Sequence, residues 1–369
     1  MRSMGSLFGV LLSMVVTVNT VAAPLVIAHR GASGYRPEHT LESYRLAIEM
    51  GADFIEPDLV ATRDGHLVAR HEPEIGTTTD VANRPDFADR KRTLILDGMT
   101  VTGWFTVDFM LAELRTLRAI QPRTDRSKEF DGQFLIPTLE EIIDLAQRES
   151  KARGRTIGIY PETKHPTWHC ELGLPLESRL LETLASVGWT TRDSPVFIQS
   201  FESGNLRWLR SRTDVRLIQL LDGGELRDDG SVAPRPRWNS AGTCNLYSQG
   251  DIPEDLTRPE TFLAFREYVD GLGPWKRHLI GTRRTDTTDT TERSRRVVAP
   301  TEFVRLAHAA GLQVHPWTFR NEAHQLAADY GGNPAAEYRA FAELGVDAVF
   351  TDFPDTAIAA FSRGRVTGR

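Results

Sequence analysis

From residue 24 onward, short apolar runs alternate with longer segments whose apolar residues recur every three to four positions. Continuous or alternating apolar runs mark strands, and a 3.6-residue period marks an amphipathic helix. Leu25 to Ala28 reads as a strand that runs into His29-Arg30-Gly31. Thr40 to Met50 reads as a helix with Leu41, Tyr44, Ala47 and Ile48 on one face, Thr40 as its N-cap and Gly51 as its stop. Phe54 to Val60 is a second strand. Asp64-Gly65 carries hairpin-turn chemistry, and Leu67 to His71 is the returning strand.

The rhythm breaks between Glu72 and about Phe134, a polar stretch rich in Asp and Arg with one helical patch at Asp108 to Arg118. It is too poor in apolar residues for a core of its own and reads as an insertion. Beyond it, Thr138 to Glu149 opens with Thr138 and Glu141 in capping-box spacing. Strands follow at Thr156–Tyr160, Pro195–Gln199 and Val215–Leu220, interleaved with helices at Leu176–Val187 and Glu202–Arg210. A second irregular insert covers Asp222 to about Pro259. The chain closes with a helix at Phe262–Val269, a weak strand within Gly271–Ile280, a helix at Thr301–Ala310, and strands at Gln313–Pro316 and Ala348–Thr351. Helices at Ala335–Leu344 and Pro354–Phe361 complete it. About eight strand–helix units without a linker predict an α/β fold, a TIM barrel with an insertion after the second strand. An open doubly wound sheet competes, but Arg30-Gly31-Ala32-Ser33-Gly34 lacks the Gly-x-Gly-x-x-Gly loop that would support it.

The length of 369 residues fits one large barrel or two average domains, so composition alone leaves the domain count open. A net charge of -6 argues against nucleic acid as the main partner. Arg2, an apolar run from Leu7 to Val18 and the small residues of Thr20 to Ala23 read as a signal peptide over residues 1–23, with residues 24–369 as the mature barrel. An uncleaved anchor is the alternative, although the run is short of the ~20 residues of a membrane span. The expectation is an exported protein, periplasmic or secreted, with no stable membrane insertion after processing. Cys170 and Cys244 exclude a cysteine-rich scaffold and leave one bridge or two buried thiols equally open.

The candidate chemistry follows from the ends of the strands, where TIM barrels carry their active sites. Strand one ends in His29 and Arg30, and strand two in Glu56 and Asp58, two apart and so on one face. The returning segment ends in His71, and the next strand offers Glu162 and Lys164. Later ends supply Gln199 with Phe201, His315 with Trp317, and Asp352. Glu56, Asp58 and Glu162 suit a hard cation, calcium or magnesium, with zinc less suited but open. Arg30 and Lys164 beside it suit a phosphate, and two histidines suit proton transfer near neutrality. Each residue taken singly could be rim packing or a structural ion pair; their convergence on one rim points to metal-assisted phosphodiester cleavage.

These motifs resemble the glycerophosphodiester phosphodiesterases. The resemblance runs through His29-Arg30-Gly31, Pro37-Glu38-His39-Thr40, Glu56-Pro57-Asp58, His71, Tyr160-Pro161-Glu162-Thr163-Lys164, Gln199-Ser200-Phe201, His315-Pro316-Trp317 and Thr351-Asp352-Phe353-Pro354. It covers essentially the whole mature chain and is closest to the exported members. It implies a TIM barrel that hydrolyses glycerophosphodiesters to sn-glycerol 3-phosphate and an alcohol, through a cyclic phosphate. It also implies His29 and His71 as the acid–base pair, and Glu56, Asp58 and Glu162 as ligands of one divalent cation. Arg30 and Lys164 would contact the phosphate, with Phe201 and Trp317 as an apolar wall for a small-molecule substrate. Two positions depart from the family: Glu72 stands where Asp is usual after the histidine, and His39 where Asn is frequent. Competing readings are a phospholipase D-like, sphingomyelin-cleaving barrel and a binding protein without turnover.

Overall fold

The computed structural model describes residues 23–227, 229–233, 244, 255–286 and 288–362. The expected leader, most of the second insert and the extreme C-terminus lie outside these residues. In chain order the elements are β1 (Leu25–His29), α1 (Leu41–Glu49), β2 (Phe54–Glu56), β3 (Asp58–Ala61), β4 (Leu67–Ala69), β5 (Arg92–Leu96), β6 (Met99–Gly103) and α2 (Leu111–Leu114). They continue with α3 (Leu139–Arg153), β7 (Gly158–Ile159), β8 (Glu162–Thr163), α4 (Pro166–Glu171), α5 (Leu176–Ser186), β9 (Phe197–Ser200), α6 (Ser203–Arg210), β10 (Arg216–Leu221) and α7 (Pro259–Arg266). The last are β11 (Gly271–Pro274), β12 (Thr282–Arg284), β13 (Arg295–Val297), α8 (Phe303–Ala309), β14 (Gln313–Val314), α9 (Pro334–Glu343), β15 (Ala348–Thr351) and α10 (Pro354–Ser362).

The parallel strands form a TIM barrel. One ribbon runs β15-β1-β2-β7 and another runs β14-β11-β10-β9-β8-β3, with β4 antiparallel to β3. Pro57 separates β2 from β3, and Pro161 separates β7 from β8. Neither proline can donate to the ladder, yet their carbonyls accept from Glu162 N and Gln199 N at 2.9 Å each, so pairing continues past both. Phe350 N bonds Pro316 O at 3.1 Å and Phe319 N bonds Phe350 O at 2.8 Å, which closes β14 onto β15. Counting β2/β3 and β7/β8 as one strand each, the described residues supply eight parallel strands, as the alternation predicts.

Two-residue periodicity decides what lies inside. Ile27, Phe54, Tyr160, Phe197, Ile218, Ala348 and Phe350 fill the barrel interior. The outward faces of the strands meet the helices in a larger apolar layer that includes Ile55, Leu59, Ile142, Leu206, Phe262 and Phe341. Tyr160 stacks on Phe197 with ring centroids 5.0 Å apart and meets Phe350 edge-on at the same distance. His315 also lies here, its Nδ1 2.7 Å from the Tyr160 hydroxyl.

Local signals fixed several elements as expected. Thr40 caps α1, and Thr138 with Glu141 forms the capping box of α3. The insertion differs from expectation. It contains the β5–β6 hairpin, and it buries Ile75, Val81, Phe87, Trp104, Phe109 and Leu114 against Val60 and Val68 of β3 and β4. Its core is therefore borrowed from the barrel's own hairpin, which is how so polar a stretch is ordered. The paired strands β12 and β13 and the short helix α4 carry no clear period and were not anticipated. Cys170 and Cys244 are joined by a disulfide.

Candidate active site

On several strands the interior apolar residue is followed two positions later by a polar one, because side chains on one face recur at that spacing. Ile27 is followed by His29, Phe54 by Glu56 and then Asp58, Tyr160 by Glu162 and then Lys164. Likewise Phe197 precedes Gln199, and Phe350 precedes Asp352. The apolar plug thus forms the floor of a polar cup, and the predicted site residues converge in it.

Glu56, Asp58 and Glu162 can bring one oxygen each within 4.8 Å of one another, and all three are buried. Gln199 Nε2 donates to Glu56 Oε1 at 3.0 Å, and the backbone N–H of Arg30 donates to Glu56 Oε2 at 2.7 Å. Burial, then Asp58 and Glu162, push the Glu56 carboxyl well above its ordinary value. Glu162 is raised by burial to about 8, despite Lys164 Nζ at 2.9 Å. Burial would raise Asp58 as well, but Lys164 and His39 hold it low. Asp58 Oδ1 is buried with no hydrogen-bond partner. Three crowded carboxylates with an unmatched oxygen are costly alone and fit a hard cation.

The two histidines are held alike. His29 Nδ1 lies 2.6 Å from Asp352 Oδ1, and His71 Nδ1 lies 3.0 Å from Glu72 Oε1. A carboxylate only accepts, so each ring carries hydrogen on Nδ1 and turns Nε2 towards other chemistry. His71 Nε2 is 3.4 Å from Lys164 Nζ. Burial, then Arg30, lower the His29 pKa. Burial, then Arg30 and Lys164, bring His71 to about 4. Both shifts favour the neutral ring in the site as it stands, without substrate.

Arg30 bonds Glu38 at 3.1 Å and lies 3.5 Å from Asp58. It adopts φ 60°, and His39 adopts φ 55°, a region that few residues with a Cβ occupy. Gly31 at φ 86° permits the same tight turn, with no room for a Cβ against Ser43. His39 is fully buried between Asp58, at 2.9 Å, and the Tyr44 hydroxyl, at 2.8 Å. The departure at this position thus supplies an internal bond to a carboxylate of the trio. Phe201 and Trp317 meet edge-on at 5.9 Å, with Lys164 Nζ 5.8 Å from the Phe201 ring. His315 is not on the rim but in the floor.

Sequence reasoning missed Arg70, Asp97, Arg126, His165 and Arg320. Arg70 is fully buried and donates to the carbonyls of Glu38 and His39 at 2.8 Å each, holding that loop. A charge inside the apolar run Leu67 to His71 was the signal. Arg126 and Arg320 both bond Asp352 Oδ2, at 2.5 and 3.0 Å. Nothing in the local pattern distinguishes these two arginines.

Residues 29–356 match the glycerophosphoryl diester phosphodiesterase family. A glycerophosphodiester phosphodiesterase of Arabidopsis thaliana is 36% identical over 345 residues, covering 89% of this chain and 84% of its own length. One from Haemophilus influenzae is 28% identical, covering 90% and 88%. Among solved structures, an Oleispira antarctica phosphodiesterase in complex with the product sn-glycerol-3-phosphate superposes with a TM-score of 0.57 at 20% identity, covering 92% of this chain and 97% of that one. A glycerophosphodiester phosphodiesterase from Agrobacterium tumefaciens gives 0.54 at 18% identity, covering 91% and 99%.

Proposed function

The chain belongs to the glycerophosphoryl diester phosphodiesterase family, and from that premise we propose metal-assisted hydrolysis of glycerophosphodiesters to sn-glycerol 3-phosphate and an alcohol, with His29 and His71 as proton carriers. The observation that carries this reading is the buried trio Glu56, Asp58 and Glu162 beside two histidines whose Nδ1 atoms are each tied to a carboxylate. The trio would hold one divalent cation, calcium by preference with magnesium as the alternative, since an all-oxygen ligand set suits either hard ion. When bound, that cation supplies Lewis-acid stabilisation of charge on phosphoryl oxygen.

Arg30 and Lys164 bind the phosphate anion and orient it. One histidine takes the proton of the substrate's 2-hydroxyl at Nε2, and the freed oxygen attacks phosphorus to form a cyclic phosphate. The other histidine, which enters as the imidazolium favoured by the bound phosphate anion, gives its Nε2 proton to the departing alcohol. Water then opens the ring with the two roles reversed, restoring both rings. Phe201 and Trp317 form the apolar wall against the glycerol carbons.

Release of sn-glycerol 3-phosphate from glycerophosphocholine, measured with and without chelator, tests this reading. His29→Ala and His71→Ala should each lose at least about 10²-fold in kcat. Near-normal turnover by either variant would reject the acid–base pair, and indifference to chelator would reject the cation. Turnover of intact sphingomyelin in preference to glycerophosphocholine would redirect the substrate assignment.

We also read residues 24–369 as one barrel domain carrying an insertion over about 72–134, behind a leader over 1–23. The apolar leader pattern and the Cys170–Cys244 bridge support export to the periplasm or medium, since disulfides persist in oxidising compartments. Among the described residues no helix is long and apolar enough to cross a membrane. N-terminal sequencing of the protein recovered from cells, with its fractionation, tests the leader.

A further inference from the structure

The β5–β6 hairpin of the insertion carries Asp97 to the edge of the cup. Asp97 and Gly98 form its turn at φ 47° and 78°, the doubly left-handed arrangement of a tight hairpin. Asp97 Oδ2 accepts from His165 Nδ1 at 2.5 Å. His165 Nε2 donates to Glu72 Oε2 at 2.8 Å, and the other oxygen of Glu72 accepts from His71 Nδ1 at 3.0 Å. One unbroken chain of side-chain bonds therefore leads from the tip of the insertion to a histidine of the site.

A ring bonded to a carboxylate at each nitrogen carries hydrogen on both. His165 is thus an imidazolium between Asp97 and Glu72, and the trio has a net charge of -1. Burial would lower the His165 pKa, but the two carboxylates raise it to about 9. A simple tether for a surface hairpin does not explain this arrangement. His165 sits at φ 45° outside any hairpin turn, and the side chains of Asp97 and His165 are only 7% and 10% exposed. Backbone of this kind persists where the surroundings enforce a particular placement.

We propose that Asp97 and His165 are positioning residues for His71, fixing the Glu72 carboxylate against its Nδ1 and placing one net negative charge behind the ring. This rests on the reading of His71 as a proton carrier. His71 is also faced by Lys164, Arg30, Asp58 and Glu38. The Asp97–His165 pair is faced by Glu202, which bonds Thr167, and by His169.

The test compares Asp97→Asn, Asp97→Glu, His165→Ala and His71→Ala on glycerophosphocholine, recording kcat, KM and the pH profile of kcat. Asp97→Asn removes one negative charge from the trio, so the imidazolium form of His71 is less favoured. Its kcat should fall about tenfold while KM stays within about twofold. One limb of the profile should move towards lower pH by about half a unit or more, because His71 loses a stabilising charge. Asp97→Glu should recover part of kcat and return the limb. Wild-type kcat and limbs in Asp97→Asn overturn the proposal, and so does a fall in kcat with both limbs unmoved, which would mark a structural role. If Asp97→Asn does not fold by thermal unfolding, His165→Ala, which leaves the hairpin sequence intact, decides between a moved limb and an unmoved one. Near-normal turnover by His71→Ala would instead strike the assignment of His71 itself, whatever the Asp97 variants do.

Discussion

His29 Nδ1 lies 2.6 Å from Asp352 Oδ1, while Arg126 and Arg320 grip the other oxygen of the same carboxylate. Burial would raise the Asp352 pKa, but Arg320 and His29 hold it well below the usual carboxylate range. Asp352 therefore stays ionised and fixes the tautomer of His29. Asp352→Asn can offer an amide N–H and stabilise the wrong tautomer. Its kcat should fall on the order of 10²-fold with little change in KM. Steady-state kinetics on glycerophosphocholine check this.

The carboxylate trio gives a prediction with two opposed signs. Without a cation the three groups repel, so Glu56→Gln should leave the metal-free protein as stable as the wild type or more so. With calcium at a hundred times its Kd, the wild type should gain about 2.7 kcal/mol. The variant should lose most of that gain. Thermal unfolding in chelator and in calcium reads both effects, and a variant that keeps the full calcium shift would contradict the ligand assignment.

His315 lies in the barrel floor, where burial lowers its pKa to about 4 from 6.5. A histidine whose folded value is depressed is bound neutral, so its stabilising contribution is complete above pH 6.5. That contribution is lost as pH falls from 6.5 towards 4. The loss between pH 7 and pH 5 is about 2 kcal/mol. His315→Gln keeps a partner for the Tyr160 hydroxyl and should flatten this dependence. Denaturant unfolding of both proteins at the two pH values tests it.

The Cys170–Cys244 bridge spans 74 positions of sequence. Closing a loop of that size restricts the unfolded chain by about 4 kcal/mol in the entropic account. Cys170→Ser should therefore lower stability by roughly 2–4 kcal/mol while leaving the kinetics of a folded sample near wild type. Unfolding of the oxidised protein, the reduced protein and the variant should place the last two together.

Much of the site was legible because strand geometry is simple. The spacing of Glu56 to Asp58 and of Glu162 to Lys164 puts each pair on one face, and the structure brings both pairs together. Thr138 with Glu141 announced α3 in the same way. Asp97, Arg126 and His165 were illegible because their partners lie far along the chain, on loops whose paths follow no period. His39 was visible as a departure from the family, but its buried bonds to Asp58 and Tyr44 needed coordinates. The insertion's packing was missed for a related reason. Counting its own apolar residues cannot show that Val60 and Val68 complete its core.

Surface connections normally tolerate additions and deletions, because little depends on where they end. Beside the candidate site the insertion here is riveted by Asp97 to His165 and by Arg126 to Asp352. Shortening or lengthening it by even a residue or two would have to be absorbed outside both rivets or be transmitted towards His71 or His29. The segment of least regular sequence is thereby among the least free to drift in length.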